Sequence, residues 1–202
     1  PTDIYKEGIT GIDLEDIRNA DEFGYVIKLL AIAREVGKDS LELKVHPTMI
    51  PKVHPLAAVR NEFNAVYLHG NAVGEMMFYG RGAGPLPTAS AILADIIEVA
   101  TQRDGKEPGV KSRYNQGQYL WGNKRIVPMA DTASEHYLRF PIVDKPGVIG
   151  KLATILGKHN ISIYGATAAL VPDKKSLGNV RILTRRAKES ALRKALAEIN
   201  RL

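Results

Sequence analysis

The 202-residue chain has no cysteine. That excludes disulfides, thiolate zinc sites and a cysteine nucleophile among these residues, and it suits a reducing, cytoplasmic setting. Aromatic residues are scarce, at 6% with a single tryptophan. No apolar run is long enough to cross a bilayer, so no membrane association is expected. The first residues, Pro1-Thr2-Asp3-Ile4, show no basic stretch leading into an apolar one, so no signal peptide is read there. Met is absent from position 1, and the expectation is a fragment or a processed chain. Also missing are a Gly-x-Ser-x-Gly elbow, a P-loop, a dinucleotide-binding glycine fingerprint and a carboxylate-rich metal loop. Five histidines occur, none at the i, i+4 spacing of a helical metal site, and no metal is expected. His46 and His54 flank prolines and are read as orienting a loop.

What is present is an ordinary globular composition, 45% hydrophobic and 25% charged, in a length that allows one or two domains. The net charge is +6. Its carriers include Arg103, Lys106, Lys111, Arg113, Lys124 and Arg125, then Lys174, Lys175, Arg185, Arg186, Lys188, Arg193 and Lys194. Few aromatics and no nucleic-acid motif accompany them, so they are read as a solvated basic surface with no nucleic-acid partner.

The patterning predicts two structured regions. Asp13 to Phe23 reads as a helix with Asp13 as N-cap, Asp16 approximating a capping box, and Gly24 as the stop. Its carboxylates Asp13, Glu15, Asp16, Asp21 and Glu22 are read as a solvated face. Tyr25 to Ala33 reads as a largely buried strand. After the turn Gly37-Lys38-Asp39-Ser40, Leu41 to Val45 alternates like a strand with one wet face. Pro47, Pro51 and Pro55 predict an extended connection. Phe63 to His69 and Glu75 to Tyr79 predict a strand pair, and about Thr88 to Arg103 a helix. From Asp104 to Glu135 periodicity is lost and a linker is predicted, with Tyr119-Leu120-Trp121 and Ile126-Val127-Pro128-Met129 docking on something. His136 to Leu202 then reads β-α-β-β-α, with Pro172-Asp173-Lys174-Lys175 as a turn. That is a split βαβ, ferredoxin-like unit that stops before its last strand. The fold class expected is α+β: a sheet-with-helices portion followed by the ferredoxin-like unit.

Two turns carry candidate chemistry. Gly80-Arg81-Gly82-Ala83-Gly84 joins a strand to a helix, with Pro85 and Pro87 stiffening its exit. Bare backbone beside a helix N-terminus makes a plausible wall for an anionic or polar small molecule. Asp144-Lys145-Pro146-Gly147 repeats that logic: the next helix offers N–H groups to a carboxylate, and Asp144 suits an ammonium group. Such a site fits a free amino acid. A capped β-α turn is the plainer alternative.

Three segments resemble homoserine dehydrogenase: Tyr5-Lys6-Glu7-Gly8-Ile9; His46-Pro47-Thr48-Met49-Ile50-Pro51 with His54-Pro55-Leu56-Ala57; and Phe63-Asn64-Ala65-Val66 leading to the Gly80-to-Ala91 loop. From His136 onward, Asp144-Lys145-Pro146-Gly147-Val148 and Asn160-Ile161-Ser162-Ile163 resemble an ACT domain, a small amino-acid-sensing module. The resemblance implies an oxidoreductase that interconverts L-homoserine and L-aspartate 4-semialdehyde with NAD or NADP, serving threonine, methionine and isoleucine synthesis. It divides the chain into residues 1–104, the C-terminal part of the catalytic and dimerisation domain; 105–135, a linker; and 136–202, the ACT domain. The nucleotide-binding domain, the catalytic Lys and the homoserine-binding acids are implied upstream of Pro1, so no residue here receives a catalytic role and the chain alone is expected to be inactive. Gly82 and Gly84 are implied at the cofactor site. Asp144, Gly147, Val148 and Ser162 are implied at an effector site, with L-threonine as the effector and a homodimer or higher homo-oligomer as the assembly. Tyr164 to Ala169 and Thr184-Arg185-Arg186 depart from relatives, which leaves the effector's identity open, as it does the NAD or NADP preference. A non-enzymatic amino-acid sensor is the alternative.

Overall fold

A computed structural model describes residues 4–103, 124–170 and 177–201. The predicted turn at Pro172 to Lys175, the segment Tyr119-Leu120-Trp121 and most of the predicted linker lie outside them. In chain order the elements are β1 (Tyr5–Lys6), α1 (Leu14–Glu22), β2 (Tyr25–Glu35), β3 (Ser40–Pro51), β4 (Phe63–Gly70), β5 (Gly74–Arg81), α2 (Pro85–Arg103), β6 (Arg125–Ile126), β7 (Ala133–Ser134), β8 (Tyr137–Val143), α3 (Val148–Lys158), β9 (Ile163–Leu170), β10 (Leu177–Thr184), β11 (Ala187–Lys188) and α4 (Glu189–Ile199). They form two compact units. One takes Pro1–Phe23, Ile27–Met49 and Lys124–Leu202; the other takes Gly24–Val26 and Ile50–Asn123.

In the first unit β8, α3, β9, β10 and α4 make a split βαβ arrangement. The sheet order is β8-β10-β9, and β10 runs antiparallel to both neighbours. The connection through α3 therefore returns β9 parallel to β8, one strand away. The helical spacing of Leu152, Ile155 and Leu156 on α3 and of Leu192, Ala195 and Ile199 on α4 faces both helices to Leu138, Val180 and Ile182 of the sheet. Leu156 and Ala195 are fully buried there.

The N-terminal strands add a second sheet, β1-β3-β2, with β6 also on β3. β1 and β6 run parallel to β3, whereas β2, joined to β3 through residues 36–39 alone, can pair with it only antiparallel, so the sheet is mixed. The docking expected at Ile126 is seen in the pairing of Ile126 with Leu41 and the Val127 N–H donated to Leu41 O at 2.8 Å.

Three expectations are corrected. β3 does not stop before Pro47 but continues to Pro51. β2 is half-exposed rather than buried, because its side chains alternate between a partly covered face and an open one, with Leu29 52% exposed. The wet face predicted for Leu41 to Val45 is the buried one: Glu42 is 2% exposed and Lys44 4%. The physical reason is pairing. Lys44 Nζ lies 2.6 Å from Glu42 Oε1 and donates to Ser134 Oγ on β7 at 3.1 Å. A buried charge persists when another charge and a hydrogen-bond acceptor meet it.

The second unit holds the β4-β5 antiparallel hairpin, in register from Phe63↔Arg81 to Gly70↔Gly74, followed by α2. His54 caps the short 3-10 turn Pro55–Ala58 by accepting the Leu56 N–H at Nδ1, so its reading as a loop-orienting residue holds. α2 begins at Pro85, three residues before the predicted start, because Pro suits the first helical position. Its Leu86, Ile92, Leu93, Ile96 and Ile97 are all exposed.

Two outcomes follow from the first unit. Lys44→Ala leaves the buried Glu42 with Arg34 alone, at 4.0 Å, and is expected to cost about 3 kcal/mol, whereas replacing both by apolar residues of similar volume restores most of it, as read by urea unfolding. His136 is mostly buried, and burial pulls its imidazole below the ordinary 6.5, against the opposing hydrogen bond to the Ala187 carbonyl. The unfolded chain then binds more protons once the pH drops below that value. Stability should therefore fall as the pH is lowered from about 7.5 to 5.5, and His136→Gln should flatten that fall.

Candidate functional site

The first candidate is the turn between β5 and α2. Gly80 and Arg81 still belong to β5, so the turn itself is Gly82-Ala83-Gly84. Its start is held by the Gly82 N–H donated to Glu62 O at 2.8 Å, and its end by the Thr88 N–H donated to Gly84 O at 3.1 Å. Arg81 is fixed beside it by an ion pair with Glu62 and lies 4.8 Å over the Phe63 ring, which stacks on Tyr79. Gly84 has φ +121°, open to glycine and few others. Gly82 is favoured for a different reason. A Cβ there would lie 1.6 Å from Asn64 Nδ2, so the neighbouring side chain fills the space. The turn is exposed, and α2 begins there with no acidic residue in its first turn.

The second candidate lies at the end of the three-stranded sheet in the first unit. Gly147 has φ +87° and is the N-cap of α3, with no side chain capping that helix. The first-turn N–H groups of α3 therefore lack a side-chain partner. An open pocket of about 540 Å³ sits against this turn, walled by Asp144, Lys145, Gly147, Ile149, Ala168 and Asn179 among others. It brings Asp144 and Gly147 together. Val148, half-buried on α3, and Ser162, exposed just before β9, do not line it. Carboxylate, ammonium, free backbone N–H groups and a small apolar wall in one recess match the chemistry of a free amino acid.

A polar cluster occupies the opposite face of the same sheet. Asp13, Asp21 and Glu22 of the acids expected on a solvated face are exposed, but Asp16 is buried and Glu15 partly so, because α1 lies on the polar face of the β8-β10-β9 sheet. Asp16 and Asn19 are buried, at 5% and 3% exposure. Arg139 donates from Nε to Asp16 Oδ1 at 2.8 Å, from Nη2 to Asp13 Oδ2 at 2.6 Å and from Nη1 to Glu15 Oε2 at 3.3 Å. Arg181 Nη1 donates to Asn19 Oδ1 and to Glu22 Oε2, at 2.5 and 2.6 Å. Tyr137 accepts from Asn19 Nδ2 at 2.9 Å and donates to Asp16 Oδ1 at 3.2 Å, and burial pushes its hydroxyl up to about 12. The backbone N–H of Asp16, with Arg139 assisting, holds Asp13 below its usual carboxylate range. Asn179, on the pocket wall, completes the set by donating from Nδ2 to Glu15 Oε1 at 2.5 Å. The signal that could have found these residues is alternation. Arg139 and Arg181 stand between core residues in their strands and so share the non-core face.

Among the described residues no group of three or more His, Asp or Glu side chains is placed to hold a metal ion, and no helix is long and apolar enough to cross a membrane.

Residues 1–97 match the family model for homoserine dehydrogenase. The chain is 40% identical over 202 residues to the homoserine dehydrogenase of Neisseria gonorrhoeae, covering 98% of this chain and 45% of that protein. It is 38% identical to the homoserine dehydrogenase of Synechocystis, covering 99% of this chain and 46% of that protein. Among solved structures, a homoserine dehydrogenase from Thiobacillus denitrificans superposes with TM-score 0.82 at 35% identity, over 100% of this chain and 45% of that one. The chain thus spans a little under half the length of the relatives it matches.

Gly82→Ala is expected to turn the exposed Asn64 side chain aside at a cost of about 1 kcal/mol or less, the range for surface changes. Gly82→Ala combined with Asn64→Gly should recover part of that cost in a double-mutant cycle read by thermal unfolding.

Proposed function

The chain belongs to the homoserine dehydrogenase family, and from that premise we propose that it supplies one wall of the site at which L-homoserine and L-aspartate 4-semialdehyde are interconverted. The supporting observation is the bare, exposed Gly82-Ala83-Gly84 turn at the head of α2, inside the stretch that matches the family. This turn fits a dinucleotide as a wall only. Gly84 lets a ligand approach the backbone, and Gly82 does so where the Asn64 side chain moves aside; Pro85 and Pro87 bring no N–H to the first turn of α2 and Thr88 gives its own to Gly84 O, so the turn contributes shape rather than donors. NAD or NADP, when bound, takes up or gives the hydride. The residues of this chain position and shield; none is assigned a proton. In this reading residues 1–104 are part of a catalytic and dimerisation domain, 105–135 a linker, and 136–202 an ACT domain, working in the cytoplasm in threonine, methionine and isoleucine synthesis. The exposed apolar side chains of α2 support a homodimer or higher oligomer, since patches of that kind mark contact surfaces.

In the C-terminal module, Asp144 holds the ammonium group of an amino-acid effector, L-threonine, while the first turn of α3 meets its carboxylate. Gly147 admits the ligand and Val148 follows it on α3, while Ser162, whose carbonyl accepts the Arg185 N–H, stands apart from the pocket. The pocket against Asp144 and Gly147 favours this role and equally serves the second reading, an amino-acid sensor without enzymatic activity.

The 202-residue chain alone is expected to give no homoserine-dependent NADPH formation. Co-expression with the N-terminal half of a relative should restore activity, and Gly84→Val should lower it about tenfold or more through misplacement at the reacting centre. Turnover by the isolated chain would overturn the assignment. L-threonine binding with no complementation would favour the sensor.

A further inference from the structure

We propose that the pocket takes an amino acid with an aliphatic side chain and ranks L-valine above L-threonine, which carries a hydroxyl in place of one methyl. This rests on the reading of the pocket as an amino-acid effector site and names the kind of side chain it accepts. Directly paired residues of antiparallel strands share a face of their sheet. Ile142 and Leu170 both pair with Gly178, and Ala168 pairs with Val180, two residues further along β10. Val180 packs in the core with α3, so Ile142, Gly178, Ala168 and Leu170 all lie on the α3 face and form the floor of the pocket. Asn179 turns its side chain the other way, to Glu15, and brings only backbone to the pocket.

The polar groups of the pocket come from one short stretch of chain. Asp144 and Lys145 are the charged side chains among its described lining residues. Ile149 and Gly150, the second and third residues of α3, also line it, and their N–H groups have no intrahelical carbonyl to reach. An amino acid anchored there by its ammonium and carboxylate groups has its side chain left for the floor. No polar side chain stands on that floor. Gly178 leaves a gap between Ile142 and Leu170, and Leu170 and Ile149 are 57% and 47% exposed. A second methyl on the ligand therefore covers hydrocarbon that is otherwise wet. A hydroxyl in its place gives up water for a surface that offers no side-chain partner.

The test is calorimetry of the 202-residue chain with L-valine and with L-threonine, repeated on Ala168→Ser and Asp144→Asn. Ala168 is exposed on the edge strand β9, so a serine is accommodated there without repacking the core. Wild type should bind L-valine about fivefold more tightly than L-threonine or better, the lower end of what an unpaired hydroxyl costs on burial. Ala168→Ser places a hydroxyl on the floor and should narrow that ratio. Asp144→Asn should weaken both ligands. A smaller preference in wild type, or the reverse order, overturns the ranking and leaves the effector site standing. A preference that Ala168→Ser leaves unchanged overturns its assignment to this floor. No heat with either ligand, from a chain that unfolds cooperatively in urea, overturns the effector reading and the ranking with it. Binding that Asp144→Asn leaves untouched does the same, because it puts the ligand elsewhere.

Discussion

Arg139 and Arg181 face each other directly across antiparallel strands β8 and β10. Like charges in that position repel, and on the non-core face of the sheet nothing in either strand relieves them. Helix α1 does. Three of its carboxylates converge on Arg139, and Asn19 and Glu22 converge on Arg181. The constraint works both ways. An acidic nine-residue helix has little apolar surface to bury, and short helices are marginal in water without tertiary packing. The arginine pair gives it a site, and it neutralises the pair.

This exchange explains how the first unit is organised. One face of the β8-β10-β9 sheet is sealed by α3 and α4 through aliphatic packing. The other is covered by charge-assisted hydrogen bonds, in which geometry matters more than area. The same preference recurs at β3, where Glu42 and Lys44 are buried as a pair beside Ser134. Polar contacts of this kind contribute less net stability than an apolar equivalent, but they specify register and partner, because any other alignment leaves a charge unmet.

The elements were legible in the sequence wherever local chemistry decides them. The α1 capping box, the β4-β5 hairpin and the β-α-β-β-α order follow from caps, turns and periodicity, and all are present. What was not legible is which face of an element meets which neighbour. Alternation in Leu41 to Val45 is correct as a strand pattern, yet the charged face is the inner one, because Ser134 lies 90 residues away in sequence. The carboxylates of α1 read as solvent-facing for the same reason: their partners Arg139 and Arg181 are distant, and only the register of β8 against β10 sets them opposite one another. Asn179 carried no signal at all, since a lone asparagine in a strand resembles many others.

The two glycine turns show where a bare backbone does and does not point to a ligand. At Gly82 the absent side chain is already accounted for, because Asn64 occupies the space a Cβ would take. At Gly147 a Cβ would meet nothing within 4 Å, and the glycine is needed for its positive φ. Neither residue is therefore evidence of a bound molecule by itself. The difference lies in what surrounds them. Gly147 borders a recess with a carboxylate on one side and an uncapped helix start on the other, whereas Gly82 sits on an exposed turn that needs a further surface to become a site. The proposed effector role thus draws on chemistry contained in this chain. The cofactor role draws on family membership, with the turn supplying only a shape that permits it.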